Sequence, residues 1–497
     1  MTLSLSQFRR LLAISSLALM SAACAAVGPN YQRPPVSLTA HYLAAPSPAA
    51  PAHDQDLEAW WQAFDDPMLE RVVERAMAQN LDLEAARGRV LSSRAAAAGA
   101  GAAMLPTLDA SGDAGEQSIS LLSPIGDLAR NLPGFRRQTG LYDLGAAASW
   151  EIDLFGGLRR QREAAQAQAH AAQADAIAVR LSVAAEAADA YLQIRAYQAR
   201  LAVARRQQGI EEDLVSLVTR RAAQGVAADR ELRQTRAELE GVNATIPPLG
   251  AGLDGQYNRL DVLMGAQPGT WRGELAAPAP IPAAPTLRPG DGPADLLRRR
   301  PDVMAAEQRL IAANAAIGAA IADYYPKVSI SGLLGVESIA PGQLFVADAV
   351  QQQIGAGLRW RLFDFGRVGA EVVGARGGKA QALAAWRASI LRATGEVEDA
   401  FADLSSQEER ARDLERQVGE LTVARAQAQQ AYAGGVLSLI EVRDADRDLL
   451  SASDQLVQAR AGACRAAIEA YRSLGGGWRP PTSSGPVARL SLGGNLS

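Results

Sequence analysis

Cysteine and histidine are nearly absent: the 497 residues hold two cysteines, Cys24 and Cys464, and three histidines, His41, His53 and His170. Two thiols so far apart make neither a disulfide framework nor a metal cluster, and the three imidazoles share no ligand spacing. Aromatic residues supply only 5% of the chain although 48% of it is hydrophobic, because alanine carries much of the apolar count. Alanine with charges between suits long helices, where it costs least. Net charge is −4 from 50 basic and 54 acidic residues. The charges are spread rather than blocked, which leaves no nucleic-acid footprint and reads as solvated helix faces. The only Gly-rich basic stretch, Gly374 to Ala380, fails as a phosphate loop. Val373 stands where its first glycine belongs, and Ala380 where Ser or Thr would hold magnesium. Neither catalysis nor a cofactor or resident metal is expected.

Long apolar runs are missing as well. Leu11 to Ala23 spans thirteen residues, and a bilayer-spanning helix needs about 20. With Arg9 and Arg10 ahead of it, the segment reads as a cleaved signal peptide over 1–23. Cys24 follows at once, the arrangement of a bacterial lipoprotein in which the cysteine becomes the acylated first residue, so a covalent lipid on Cys24 is expected. Ser21 stands where such signals usually carry Leu, and ordinary secretion with cleavage near Ala23 or Ala26 is the alternative. No other segment can span as a helix, so any membrane crossing must be by strands.

What is present is a repeat. Trp150-Glu-Ile-Asp-Leu-Phe155-Gly156 is answered by Trp360-Arg-Leu-Phe-Asp-Phe365-Gly366, an offset of 360 − 150 = 210. The same offset relates Tyr191 to Phe401 and Gly225-Val226 to Gly435-Val436. Upstream, Leu105-Pro106 and Tyr325-Pro326 stand 220 apart, which places a length change in a loop. Each half therefore reads as helix, Pro, strand, long loop, strand, Phe-Gly, very long helix, Gly turn, helix.

From Tyr142, Leu144, Ala146, Ala148, Trp150, Ile152 and Leu154 lie on one strand face, with Asp143, Gly145, Ala147, Ser149, Glu151 and Asp153 on the other. In the second half, Ile354, Ala356, Leu358, Trp360 and Leu362 alternate with Gly355, Gly357, Arg359, Arg361 and Phe363. Partner strands begin after Pro106 and Pro326. Apolar-out, polar-in alternation over 9–11 residues is what a tilted membrane strand requires, although a soluble sandwich would alternate too. Strands are expected at about 107–117, 141–154, 327–337 and 352–363. Four strands cannot close a barrel, and an open edge in lipid leaves backbone groups unpaired. Several chains must then contribute to one barrel.

After each Phe-Gly the period changes to about 3.6. Ile177, Leu181, Ala184, Ala188 and Tyr191 form a coiled-coil seam in a helix expected over about 157–223, roughly 100 Å long at 1.5 Å per residue. A return helix is expected over about 226–265. Its counterparts in the second half are a long helix over about 367–433 and a return helix over about 437–474. The fold class is an α+β membrane protein, a β-barrel continued by a helical tube.

At this point the sequence resembles the TolC-like outer-membrane efflux factors, and within them the NodT-type lipoproteins. The resemblance rests on Cys24-Ala-Ala-Val-Gly-Pro-Asn-Tyr-Gln-Arg-Pro34, on Trp60-Trp61-Gln-Ala-Phe-Asp-Asp-Pro-Met-Leu69, and on Leu296-Leu-Arg-Arg-Arg-Pro-Asp-Val303 with Glu307, Gly318 and Tyr325-Pro326. It implies a homotrimer whose barrel takes four strands per chain, set in outer-membrane lipid, with a periplasmic helical tunnel below. It also implies two partners, a periplasmic adaptor protein and an inner-membrane pump. The expected organisation is a signal peptide (1–23), a lipid-anchored extended segment (24–66), repeat one (67–290), repeat two (291–474) and a flexible tail (475–497).

The family docks its adaptor at the helix tips, which here are Gly225 and Val226 in the first repeat and Gly435, Val436 and Leu437 in the second. Its constricted inner mouth is acidic at positions matching Glu441 and Asp444, which share a helix face at i, i+3. Such a pair is also what a plain solvated helix face looks like, and Glu441 stands where the family pattern suggests Asp. Arg443 or Arg447 could pair with these acids. The expected function is passive conduction of drugs or other small solutes in a resistance-nodulation-division pump, with a tip that opens when adaptor and pump engage. A duct for type I protein secretion and a soluble coiled-coil binding protein are the alternatives.

Overall fold

The computed structural model describes residues 26–44, 57–287 and 292–479. The expected signal peptide and Cys24, the expected acylation position, lie outside them. In chain order the elements are α1 (Pro67–Gln79), α2 (Leu81–Ala102), β1 (Thr107–Ser118), α3 (Pro124–Ala129), β2 (Gln138–Ile152), α4 (Gly157–Ala223), α5 (Asp229–Asn243) and α6 (Ile246–Leu263). There follow α7 (Arg272–Leu275), α8 (Leu296–Arg299), α9 (Pro301–Ala322), β3 (Lys327–Ser338), β4 (Val350–Arg359), α10 (Arg367–Ala433) and α11 (Leu439–Ser473). Both long helices match their expected bounds. The described residues fall into two compact units: 26–34, 91–171 and 307–385 form the first, and 35–44, 57–90, 172–287, 292–306 and 386–479 the second.

The first unit carries one antiparallel sheet in the order β1-β2-β3-β4. Its register puts Leu144 opposite Val336, Trp150 opposite Ile330 and Gly332 opposite Ile354. Directly paired residues share a face, so the expected apolar residues of all four strands fall on one side. That side is open: Leu108 is 74% exposed, Leu334 63% and Ile354 90%. The other side carries Asp113 opposite Asp143 and Asp143 opposite Glu337.

Strand β4 was expected over 352–363 but runs from Val350 to Arg359, so Trp360 and Leu362 leave the ladder. The reason lies in its neighbour. Lys327 pairs with Arg359 at the first residue of β3, and Pro326 before it has no N–H to offer. Trp360 turns its Nε1 to the Tyr324 carbonyl at 2.9 Å, as Trp150 does to that of Met104 at 3.0 Å. These twin anchors reproduce both sequence offsets. Below each strand an aspartate caps the long helix. Asp153 accepts from the Leu158 and Arg159 amides, and Asp364 from those of Gly366 and Val368.

The N-terminal segment is clamped in this unit. Val27 donates its N–H to the Phe155 carbonyl at 2.9 Å. Buried Arg160 donates to the Val27 and Gly28 carbonyls and to Asn30 Oδ1. Tyr31 and Arg33 both donate to Glu307, and Asn314 to the Pro29 carbonyl at 2.8 Å. Glu307 and Gly318, prominent in the resemblance, are thus the receptors of this segment.

The second unit is built around aromatic packing. The expected extended segment to residue 66 gives way to a 3-10 turn at Leu57–Phe64, which buries Trp60 in a stack on Tyr471 at 5.5 Å. Asp66 caps α1 ahead of Pro67, accepting from the Met68 and Leu69 amides, and takes the Tyr191 hydroxyl at 2.7 Å. Tyr191 and its repeat mate Phe401 are each 1% exposed. The narrow seam expected on α4 broadens here, since Leu181, Ala184, Ala188, Tyr191, Leu192 and Ile194 are all buried. Alanine lets neighbours approach on several sides, so polarity gives little warning of it. In the Arg-Pro-Asp motif, buried Arg300 bridges Asp302 at 2.8 Å and Glu396 at 2.7 Å.

Two further expectations need correction. The single return helix over 226–265 is broken into α5 and α6 at Ala244-Thr245, because Pro247 and Pro248 cannot donate to the preceding turn and are tolerated only at a helix start. The flexible tail over 475–497 does not begin at 475. Trp478 is 7% exposed and donates its Nε1 to the Arg299 carbonyl at 3.0 Å, and Gly477 is bonded to Leu57 and Arg180. Residues beyond 479 lie outside the described set.

Candidate functional site: the helix tips and the acid pair

The two Gly turns close their helices in the same way. Gly225 (φ 72°) donates to the Ala222 carbonyl and Val226 to that of Arg221. Gly435 (φ 75°) donates to Tyr432 and Val436 to Ala431. Both are Schellman closures, which need a left-handed residue at the glycine and satisfy two orphan carbonyls. The valine that follows is left outside, 63% exposed at Val226 and 80% at Val436. Leu437 bonds only through its amide to Ala431. Near these ends Arg221 Nη1 donates to the Tyr432 hydroxyl at 2.7 Å, linking α4 to α10.

The acid pair is divided in its duties. Glu441 is the third residue of α11 and completes a capping box with Ser438: its Oε2 accepts the Ser438 amide at 2.7 Å and hydroxyl at 2.9 Å. Asp444, exposed on the same face, is 3.3 Å from Arg447. Arg443 turns away from both acids and pairs with Glu238 of α5. Asp446, buried, takes Arg425 of α10 at 2.8 Å, and Asp454 takes Arg200 of α4 at 2.7 Å.

So α11 is tied to α4, α5 and α10 by three arginine–carboxylate pairs along its first half. Of these residues Arg443 stood out in the sequence, and there as a partner of Glu441 or Asp444. Glu238 and Arg200 sit in charge-rich helix faces with no local signal, because their partners lie on a helix of the other repeat, and Arg425 meets Asp446 across the turn that joins α10 to α11. The capping box was visible in principle: Ser438 followed three residues later by Glu441 is its signature. Among the described residues no cluster of three or more His, Cys, Asp or Glu is placed to hold a metal ion, and no helix is long and apolar enough to cross a membrane.

Comparison with known proteins places this geometry. The family profile described as "Outer membrane efflux protein" matches residues 72–266 and 292–476. The pyoverdine export outer membrane protein OpmQ of Pseudomonas putida is 31% identical over 422 residues, 85% of this chain and 88% of the relative. The probable outer membrane lipoprotein SilC of Salmonella typhimurium is 27% identical and covers 94% of this chain and 99% of its own length. Among solved structures, the outer-membrane channel OprN superposes with a TM-score of 0.81 at 34% identity, covering 91% of this chain and all of that one. The fold is that of trimeric outer-membrane channels, in which three four-stranded sheets close one barrel and helices continue it. With its two matched repeats, its open-edged sheet and its paired helix tips, the chain belongs to the outer membrane efflux protein family.

Proposed function

We propose that this chain is the lipid-anchored exit duct of a tripartite, resistance-nodulation-division type pump, conducting small solutes passively from periplasm to exterior. The observation that carries the reading is the sheet: one apolar exposed face, one polar face, and free edges on β1 and β4 that only other copies can pair. A water-filled barrel asks for that division of faces. No energy source is needed in the chain itself; the inner-membrane partner supplies it, and the periplasmic adaptor docks at Val226, Val436 and Leu437. At rest the α11 helices are held by their arginine pairs, with three copies of Asp444, and of Glu441 behind its cap, facing one another as acidic rings. Engagement of the adaptor loosens those ties and opens the tip. An efflux cargo is favoured over secreted protein because OpmQ is named for the export of pyoverdine and SilC is named a lipoprotein.

The test is fractionation with radiolabelled palmitate on wild type and Cys24→Ser, followed by crosslinking and planar-bilayer recording. Labelled outer-membrane trimers of low resting conductance are expected. A soluble, unlabelled monomer would leave only a coiled-coil binding protein.

A further inference from the structure

Within the second unit, α4, α5, α6 and α11 line an open-sided cavity of about 780 Å³. Such a volume is drug-sized and far larger than a single ion needs. Part of its wall is apolar, from Val203, Val242, Leu249 and Leu450. The remainder holds four carboxylates and three guanidiniums. Each guanidinium reaches a carboxylate: Arg200 has Asp454, Arg447 has Asp444, and Arg443 has Glu238 while its Nε stays buried without a hydrogen-bond partner.

Glu211 is the carboxylate left over. It is 6% exposed, and Oε1 accepts from Gln207 Nε2 at 2.8 Å. Its other oxygen, and Oε1 of Gln207 beside it, are buried without a hydrogen-bond partner. Burial pushes the Glu211 carboxyl above its ordinary range, against the nearby charge of Arg443. A buried acceptor left unpaired costs its full desolvation penalty, and more when it is charged. Two such acceptors side by side in a roomy cavity call for a guest that brings donors.

We infer that this cavity binds an organic ammonium with an apolar body, one per protomer, whose N–H groups bond Glu211 Oε2 and Gln207 Oε1 while the body lies on Val203, Val242, Leu249 and Leu450. Charge selects the sign, since an anion would meet the one carboxylate that has no guanidinium. Size and walls select an amine with a hydrocarbon frame over a metal ion or an open polyamine. The site lies inside one protomer; it shares Asp444 and the Arg200 and Arg443 pairs with the gate reading above, while its own ligand contacts are Glu211 and Gln207.

The test is equilibrium dialysis of the trimer in lipid nanodiscs against 1-naphthylmethylammonium, with empty nanodiscs subtracted and 1-naphthalenemethanol as the neutral counterpart. Saturable uptake of one amine per protomer is expected, with the alcohol about tenfold weaker, the loss of one charged hydrogen bond. Glu211→Gln should weaken the amine by a similar factor, and Val242→Trp, which fills the apolar side, should abolish uptake. Crosslinking confirms that each variant is still a trimer. Absence of saturable uptake, equal uptake of the alcohol, or retention by both variants would overturn the assignment. Bilayer conductance, measured in parallel, reports on the duct separately, so failure of one leaves the other readable.

Discussion

Gly28 and Gly318 touch backbone to backbone: a Cβ built on Gly28 would lie 2.4 Å from the Gly318 Cα. Gly28 also holds φ at +90°, so both steric and conformational demands meet there. Through this contact the segment that follows Cys24 is seated against α9, with Arg160 closing it from the other side.

Gly318→Ala should therefore loosen the clamp. A Cβ at 318 meets the Val27 carbonyl and the Arg160 side chain at 2.8 Å, and overpacking of this kind costs about 1–3 kcal/mol. The dissociation temperature of the trimer in detergent should fall by several degrees. Gly88→Ala, with nothing near its position, should leave it unchanged or raise it slightly, since alanine is the better helix former. Equal behaviour of the two variants would remove the clamp from the account of stability.

The acid pair makes a sharper prediction for the gate. Replacing both Glu441 and Asp444 by Ala should raise resting conductance in planar bilayers. Most of the effect should belong to Asp444, because the Glu441 carboxylate is engaged by Ser438. Glu441→Gln, which keeps an acceptor for the cap and removes the charge, should open the channel little. A Glu441→Gln channel as conductive as the double variant would show that the charge, and not the helix start, is what Glu441 contributes.

Docking at the tips predicts a loss of coupling without a loss of trimer. Val436→Asp places a charge on a valine that is already 80% exposed, so folding should be unaffected while crosslinking to the adaptor falls. Gly435→Ala forces a side chain into the left-handed region at a cost of about 1 kcal/mol. It should fray the tip and weaken crosslinking less than Val436→Asp does.

Acid should weaken the Arg300 cluster. Burial alone would push the Asp302 carboxyl up, but the bonds from Arg300 outweigh it and hold it below the usual carboxylate range. A carboxylate lowered in the folded state adds stability above its unfolded pKa, about 3.9, and loses it as pH falls through the lower folded value. Wild type should exceed Asp302→Asn in thermal stability at pH 5 to 7, and the two melting curves should converge as pH falls below the unfolded value of about 3.9 and through the lower folded one. A difference that persists there would mean that Asp302 acts through packing rather than charge.

The repeat, the strand faces and the extents of the two long helices were legible because each is a local periodicity. Alternation placed Leu144, Trp150, Ile354 and Leu358 on one face, and the Phe-Gly and Gly-Val pairs marked where the chain changes direction. Strand ends were less legible. Val350–Arg359 is set by what β3 can pair, and that depends on Pro326 in another strand. The break before Pro247 was written in the residues but outweighed by the expectation of symmetry with α11, which has no such prolines.

By itself, then, the chain's order of residues determined its two-fold internal design, the lipid and water faces of its strands, and its need for further copies, since backbone and side-chain periods are local properties. Only the tertiary structure decided which charges meet. It gave Glu238 to Arg443 and Arg200 to Asp454, and it left Glu211 Oε2 buried without a hydrogen-bond partner. Those outcomes depend on how helices remote in sequence lie side by side, and no short-range pattern encodes that.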